Sequence, residues 1–197
     1  MLRFLTSHER SCKILGIILL IVSAGLLTIG LFQFKLVFRI GPFKTPTFIS
    51  SMAPTIQLED IVLAERIFWR IGLRPLQPGD IIFFKSKEKY RGKRIIAVGG
   101  QRVMIKDCYV YVNGHPLKSD KFNHPDHPDP QRRCYYNMDR MQADVEVFVP
   151  EGCYFVLGDN SKYSIDSRYE EIGVIKQEDV YGRIFLRIWP LSRFGVP

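Results

Sequence analysis

Tyr109-Val110-Tyr111-Val112-Asn113-Gly114 decides the fold class. Four aromatic and β-branched residues in a row suit an extended strand. The Asn-Gly pair behind them tolerates the positive φ values of a type I′ turn, so the segment predicts one arm of a tight hairpin. Working outward, similar short runs recur at Asp60–Ala64, Asp80–Lys85, Arg94–Val98, Arg102–Lys106, Asp144–Val149, Tyr154–Leu157 and Gly182–Trp189. Gly, Pro and Asp punctuate them, as in the turn Pro78-Gly79-Asp80. No helical pattern alternates with these runs, which disfavours a parallel βαβ sheet. The expectation is a mainly antiparallel β domain over residues 35–197.

One segment departs from this pattern. Residues 14–34 carry no charge, and only Ser23, Thr28 and Gln33 are polar. A helix of about 20 apolar residues crosses the hydrocarbon core. A cleaved leader would have a shorter apolar stretch, roughly 7–15 residues, and here the apolar sequence runs on past Ser23-Ala24-Gly25. We expect one retained transmembrane helix over 14–34 behind a short terminus, 1–13; a cleaved leader and a buried soluble helix are the alternatives. Arg3, Arg10 and Lys13 precede the span and Lys35, Arg39 and Lys44 follow it, so charge does not orient it. Both ends suit anionic lipid head groups.

The net charge of +8 favours anionic partners, but no zinc finger, RNA-binding aromatic signature or long Lys/Arg tract is present. Membrane lipids, not nucleic acid, are the expected anionic partner. Four cysteines without a C-x-x-C pair argue against a zinc ribbon. Residues 118–136 are polar and proline-rich and read as an inserted, solvated loop; a metal site at His124, Asp126, His127 and Asp129 is the lesser reading. Cys108 and Cys134 bracket this insert. They are placed to pair in an oxidising compartment, which would leave Cys153 odd; the sequence leaves that pairing open.

Three stretches carry chemistry. Ser50-Ser51-Met52-Ala53-Pro54-Thr55 places a serine before a turn. Gly92-Lys93-Arg94-Ile95-Ile96-Ala97-Val98 opens an apolar strand with a lysine. Gly158-Asp159-Asn160-Ser161-Lys162-Tyr163-Ser164-Ile165-Asp166-Ser167-Arg168 is a dense polar loop behind a strand. A serine nucleophile needs a base. The four histidines, His8, His115, His124 and His127, lie away from all three stretches. Lysine can serve instead if burial among apolar groups lowers its pKa from about 10.4. Lys93 has such neighbours, and Ser164 is a candidate to orient it.

Together, in this order, these stretches resemble the type I signal peptidase family, membrane-anchored serine endopeptidases with a Ser/Lys dyad. Ser51-Met52-Ala53-Pro54-Thr55 matches the S-M-x-P-T nucleophile motif, and Gly158 to Arg168 matches G-D-N-x-x-x-S-x-D-S-R. The resemblance runs from the apolar span to about Trp189. It implies that Ser51 is the nucleophile and Lys93 the general base. It implies that Ser164 hydrogen-bonds Lys93, that Asp166 and Arg168 form a structural ion pair, and that Met52 and Pro54 shape the turn beside the substrate cleft. The backbone N–H of Ser51 would donate to the oxyanion. No cofactor or metal is implied.

The resemblance also implies substrates: secretory precursor proteins whose signal peptides end in Ala-x-Ala-like sites. It places the β domain outside the cytoplasm, on a single-pass anchor in the cell (inner) membrane. The 17 residues from Phe34 to Ser51 reach at most about 60 Å, which keeps the site near the bilayer. Apolar Phe38, Phe43, Phe48 and Trp69 are candidates for the interface or the core. Two departures stand out. Gly99-Gly100-Gln101 replaces the family's Pro-Gly-Asp, which should alter the turn and not the chemistry. Ile49 occupies a position where many members carry a second oxyanion donor, leaving that role to the backbone or Ser50. The rival readings are a dedicated conjugative-transfer (pilin maturation) peptidase of the same Ser/Lys type and, more remotely, an inactive membrane-anchored binding protein.

Overall fold

The structure is a computed structural model that describes residues 15–28, 38–42, 51–87, 89–137 and 145–197. The chain falls into two units, divided between Phe38 and Arg39. In the first, residues 15–28 form a helix whose leucines and isoleucines are exposed. No helix among the described residues is long and apolar enough to cross a membrane. Residues 14 and 29–34 of the expected span lie outside them.

The second unit is built from antiparallel β structure. Its strands are β1 (Phe38–Pro42), β2 (Ile61–Glu65), β3 (Ile81–Ser86), β4 (Lys89–Val98), β5 (Arg102–Lys106), β6 (Tyr109–Val112), β7 (His115–Pro116), β8 (Val147–Phe148), β9 (Cys153–Leu157), β10 (Ile175–Lys176) and β11 (Val180–Trp189). A seven-stranded sheet runs β1-β2-β11-β3-β4-β9-β10 and a four-stranded sheet runs β7-β6-β5-β8. Among the described residues the fold class is therefore mainly antiparallel β, with the helix of 15–28 in the first unit.

Turn chemistry sets the smaller sheet. Asn113 and Gly114 have φ of 50° and 79°, and Val112 pairs with His115, which makes the expected two-residue hairpin. The β5–β6 connection uses the same device with less suitable residues: Asp107 and Cys108 take φ of 50° and 66° between the paired Lys106 and Tyr109. The Gly99-Gly100-Gln101 turn closes when the Gln101 side-chain oxygen accepts from Val98 N at 2.9 Å.

Alternation along the strands fills three apolar clusters. One joins the two sheets and includes Ile96, Val103, Ile105, Val110, Phe155 and Leu157. A second gathers Ile82, Phe84, Ile95 and Val156 with Trp69, which is core and not surface. The third, with Val62, Ile81, Phe83 and Ile184, takes in Met52 and Ile56. Phe43 and Phe48 lie outside the described residues, as does Asp144 of the expected strand Asp144–Val149, of which two residues form β8.

The insert corrects the expectation of a solvated loop. Phe122, Asn123, His124, His127, Arg132 and Tyr135 are all buried. The Arg132 guanidinium holds the loop from inside, donating to Asn123 Oδ1 and to the carbonyls of Asp120 and Lys121. A disulfide joins Cys108 to Cys134 and ties the insert to the β5–β6 turn; Cys153 is a free thiol. Among the described residues no group of three or more His, Cys, Asp or Glu side chains is placed to hold a metal.

Candidate active site

Ser51 and Met52 have helical backbone and lead into a turn closed by the bond from Ile56 N to Met52 O at 3.0 Å. Met52, fully buried in the third cluster, roots that turn in the core. Pro54 is half-buried beside a cavity of about 290 Å³. The turn is fastened to the polar loop twice. Asn160 N donates to Ser51 O at 3.0 Å, and Thr55 Oγ1 donates to Asp159 Oδ2 at 2.5 Å.

Lys93 lies within β4, where it pairs with Ile82 of β3. Its side chain is buried, and its Nζ lies 2.5 Å from Ser51 Oγ, itself buried. Removal from water disfavours the ammonium, and this lowers the Lys93 pKa from 10.5 to about 8. The carboxylate of Asp166 pulls it up; Arg91 and Arg168 push it down.

The loop behind β9 is organised around two carboxylates. Asp166 and Arg168 form a forked pair, with Nε to Oδ1 at 2.8 Å and Nη2 to Oδ2 at 2.9 Å. Both side chains are closed to solvent. Asp166 Oδ2 also accepts from Gly158 N, while Arg168 donates to Ser161 Oγ and to the carbonyls of Ser161, Ser164 and Tyr136. Ser164 departs from expectation. Its Oγ is buried without a hydrogen-bond partner, so the bond to Lys93 is not made. The oxygen instead packs against the Cα of Gly158, where a Cβ would overlap both it and the Ser51 carbonyl.

Sequence reasoning passed over Asp159 and Arg94, which link all three stretches. Successive residues on a strand point to opposite faces. Lys93 thus reaches Ser51 while Arg94 reaches Asp159, with Nε to Oδ1 at 2.9 Å and Nη2 to Oδ2 at 2.6 Å. Arg132 of the insert adds a third charge at 3.6 Å from Oδ2, and Asn123 Nδ2 donates to the Asp159 carbonyl at 2.7 Å. Burial raises the Asp159 pKa, but Arg94 and Arg132 outweigh it and hold the carboxyl below its ordinary value. The only signal was the place of Asp159 and Arg94 beside Gly158 and Lys93 in the quoted stretches. Ile49 and Ser50, the alternatives considered for the oxyanion, lie outside the described residues.

A serine hydroxyl against a desolvated lysine can perform nucleophilic acyl transfer without histidine. Comparison with known proteins gives the family. The model of the family "Signal peptidase, peptidase S26" matches residues 15–189. The chain is 33% identical over 183 residues to the probable signal peptidase I-2 of Synechocystis, covering 89% of this chain and 73% of that one. It is 32% identical over 147 residues to signal peptidase I of Bacillus caldolyticus, covering 74% and 78%. Signal peptidase IB of Staphylococcus aureus is 30% identical over 181 residues, covering 82% and 86%. The chain belongs to the S26 signal peptidase family.

Proposed function

We propose that this chain is a signal peptidase I: a membrane-bound serine endopeptidase that removes N-terminal signal peptides from secreted precursors after Ala-x-Ala-like sites. The observation that carries the reading is the contact between the buried Lys93 Nζ and the buried Ser51 Oγ. Neutral Lys93 takes the Ser51 proton as Oγ attacks the scissile carbonyl, and the backbone N–H of Ser51 donates to the oxyanion that forms. The protonated lysine passes its proton to the leaving amine, and the lysine, neutral again, activates a water that hydrolyses the acyl-enzyme. Once Ser51 Oγ is an ester oxygen it no longer carries a proton. Ser164 Oγ, buried against Gly158 without a hydrogen-bond partner, is the hydroxyl we assign to accept from Lys93 at that stage.

We place the β domain on the extracytoplasmic side of the cell membrane, tethered by the apolar span over 14–34. The uncharged sequence of that span supports this. So do the exposed Trp189, Leu191 and Phe194 at the end of β11, apolar side chains suited to a lipid surface. The test is a purified, detergent-solubilised enzyme and a secretory precursor with an Ala-x-Ala site. Cleavage at that site by the parent and none by Ser51→Ala is expected; equal cleavage by both would exclude Ser51 as nucleophile.

A further inference from the structure

The nucleophile turn is held from a second side, by side chains distant in sequence from all three stretches. Arg187, on β11, donates from Nη1 to Thr55 O at 2.7 Å. Arg193, in the single turn Leu191–Arg193 that follows β11, donates from Nη2 to Pro54 O at 2.8 Å and to Thr55 O at 3.2 Å. Both also reach the buried carboxylate of Asp60, Arg193 at 2.8 Å and Arg187 at 3.5 Å. The two arginines are joined directly, since Arg187 Nε donates to Arg193 O.

This arrangement crowds two guanidiniums around one carboxylate. Burial and the neighbouring Arg193 charge draw the Arg187 pKa below its ordinary value, so the pairing works against itself electrostatically. Asp60 needs only one cation for charge balance. What the second guanidinium adds is a grip on two consecutive carbonyls of the turn that follows Ser51. The grip faces the cavity that Pro54, Thr55 and Arg132 also line. Truncating either side chain would therefore free these carbonyls and widen the cavity beneath the turn.

We infer that Arg187 and Arg193 are positioning residues for catalysis: their clamp on the Pro54 and Thr55 carbonyls fixes Ser51 against Lys93. The inference rests on the Ser51/Lys93 reading. A displacement of about 1 Å in a reacting group lowers a rate by about 10²-fold. Arg193→Gln should thus lower kcat by about 10–10²-fold with KM within about threefold. A displaced Ser51 would uncover the Lys93 side chain and return it toward its ordinary value, so the acid limb of kcat/KM should move to higher pH by about half a unit or more. Arg193→Lys keeps the charge but loses the fork and should fall between parent and Gln variant. It also serves if the Gln variant does not fold.

The experiment uses the full chain in detergent and measures kcat, KM and the pH profile for the parent, both Arg193 variants, Asp60→Asn and the remote surface variant Arg102→Gln. Asp60→Asn removes the carboxylate that both arginines hold, so it should lower thermal stability and move the acid limb in the same direction as Arg193→Gln, while Arg102→Gln should change neither. An Arg193→Lys enzyme with parental kcat and an unmoved acid limb would overturn the clamp. So would losses that only track the folded fraction. Cleavage retained by Ser51→Ala would remove the dyad, and the clamp with it. Dependence on Ser51 and Lys93 with Arg193 indifferent would remove the clamp alone.

Discussion

Lys93 Nζ lies 2.5 Å from Ser51 Oγ, and both residues are closed to solvent. The lysine therefore gains its catalytic form and loses folding free energy for one and the same reason. An unfolded lysine titrates near 10.4 and Lys93 near about 8. Below about 8 it is charged in both states, and burying that charge opposes folding in full. Between about 8 and 10.5 the unfolded chain holds a proton that the folded one has lost, so stability rises with pH across that window. The rise amounts to about 3 kcal/mol. Lys93→Met should be inactive, more stable than the parent at about pH 7, and without this rise. Urea unfolding at about pH 7 and about pH 10 checks it; parallel pH dependence in parent and variant would show that Lys93 is not desolvated.

Asp159 is expected to be a structural keystone. Asp159→Asn leaves the guanidinium of Arg94 buried against a neutral amide and weakens the Thr55 tether. Breaking a buried pair from one side costs about 3–5 kcal/mol. The carboxyl is held below its ordinary value, so its contribution is complete above about 4 and is lost as pH falls through the folded value. The denaturant midpoint of the variant at neutral pH measures it. A loss below about 1 kcal/mol would mean that the pair is not closed to water.

Gly158 has no room for a side chain. A Cβ there would overlap Ser164 Oγ and the carbonyl of Ser51. The second is backbone and cannot move without shifting the nucleophile. Gly158→Ala should lower kcat by at least about 10²-fold, a loss that steady-state kinetics on the folded variant would register. Near-parental kcat would show that the loop relaxes freely.

The disulfide should matter through the insert. Cys108 and Cys134 are 26 residues apart, and closing a loop of that size stabilises by about 3.5 kcal/mol. The loop it closes carries Arg132 and Asn123, both of which bear on Asp159. Reductant should lower the parent's melting temperature and leave that of Cys108→Ser/Cys134→Ser unchanged. Equal sensitivity in both would place the redox effect elsewhere, at Cys153 or Cys12.

Strand content was legible because it is local. Runs of β-branched residues and an Asn-Gly pair specify hairpins within a few positions, and β5 and β6 fall where alternation puts them. Three strands lie outside the expected runs: β1, and β7 and β10, two-residue edges without room for a pattern. The first half of β4, Lys89–Lys93, is polar and reads as a loop, yet pairing with β3 extends the strand through it. The insert misled for the opposite reason. Its polar and proline-rich composition resembles solvated chain, but its arginine and asparagine turn inward to carbonyls and to Asp159. Of the site, the sequence marked the three stretches. It could not show Arg94, Arg132, Arg187 or Arg193 converging on them, since an arginine's role is set by partners far away in the chain. Nor could it show Ser164 turned against Gly158.

The most direct test of the Ser/Lys account is the pH dependence of kcat/KM for cleavage of an Ala-x-Ala precursor. The assay runs beside Lys93→Ala, with residual activity followed across the same range. A buried lysine base predicts a single acid limb near about 8 in the parent. Lys93→Ala should lack cleavage throughout. An acid limb near about 6.5, the range of histidine, or one that survives in Lys93→Ala, would contradict Lys93 as the base.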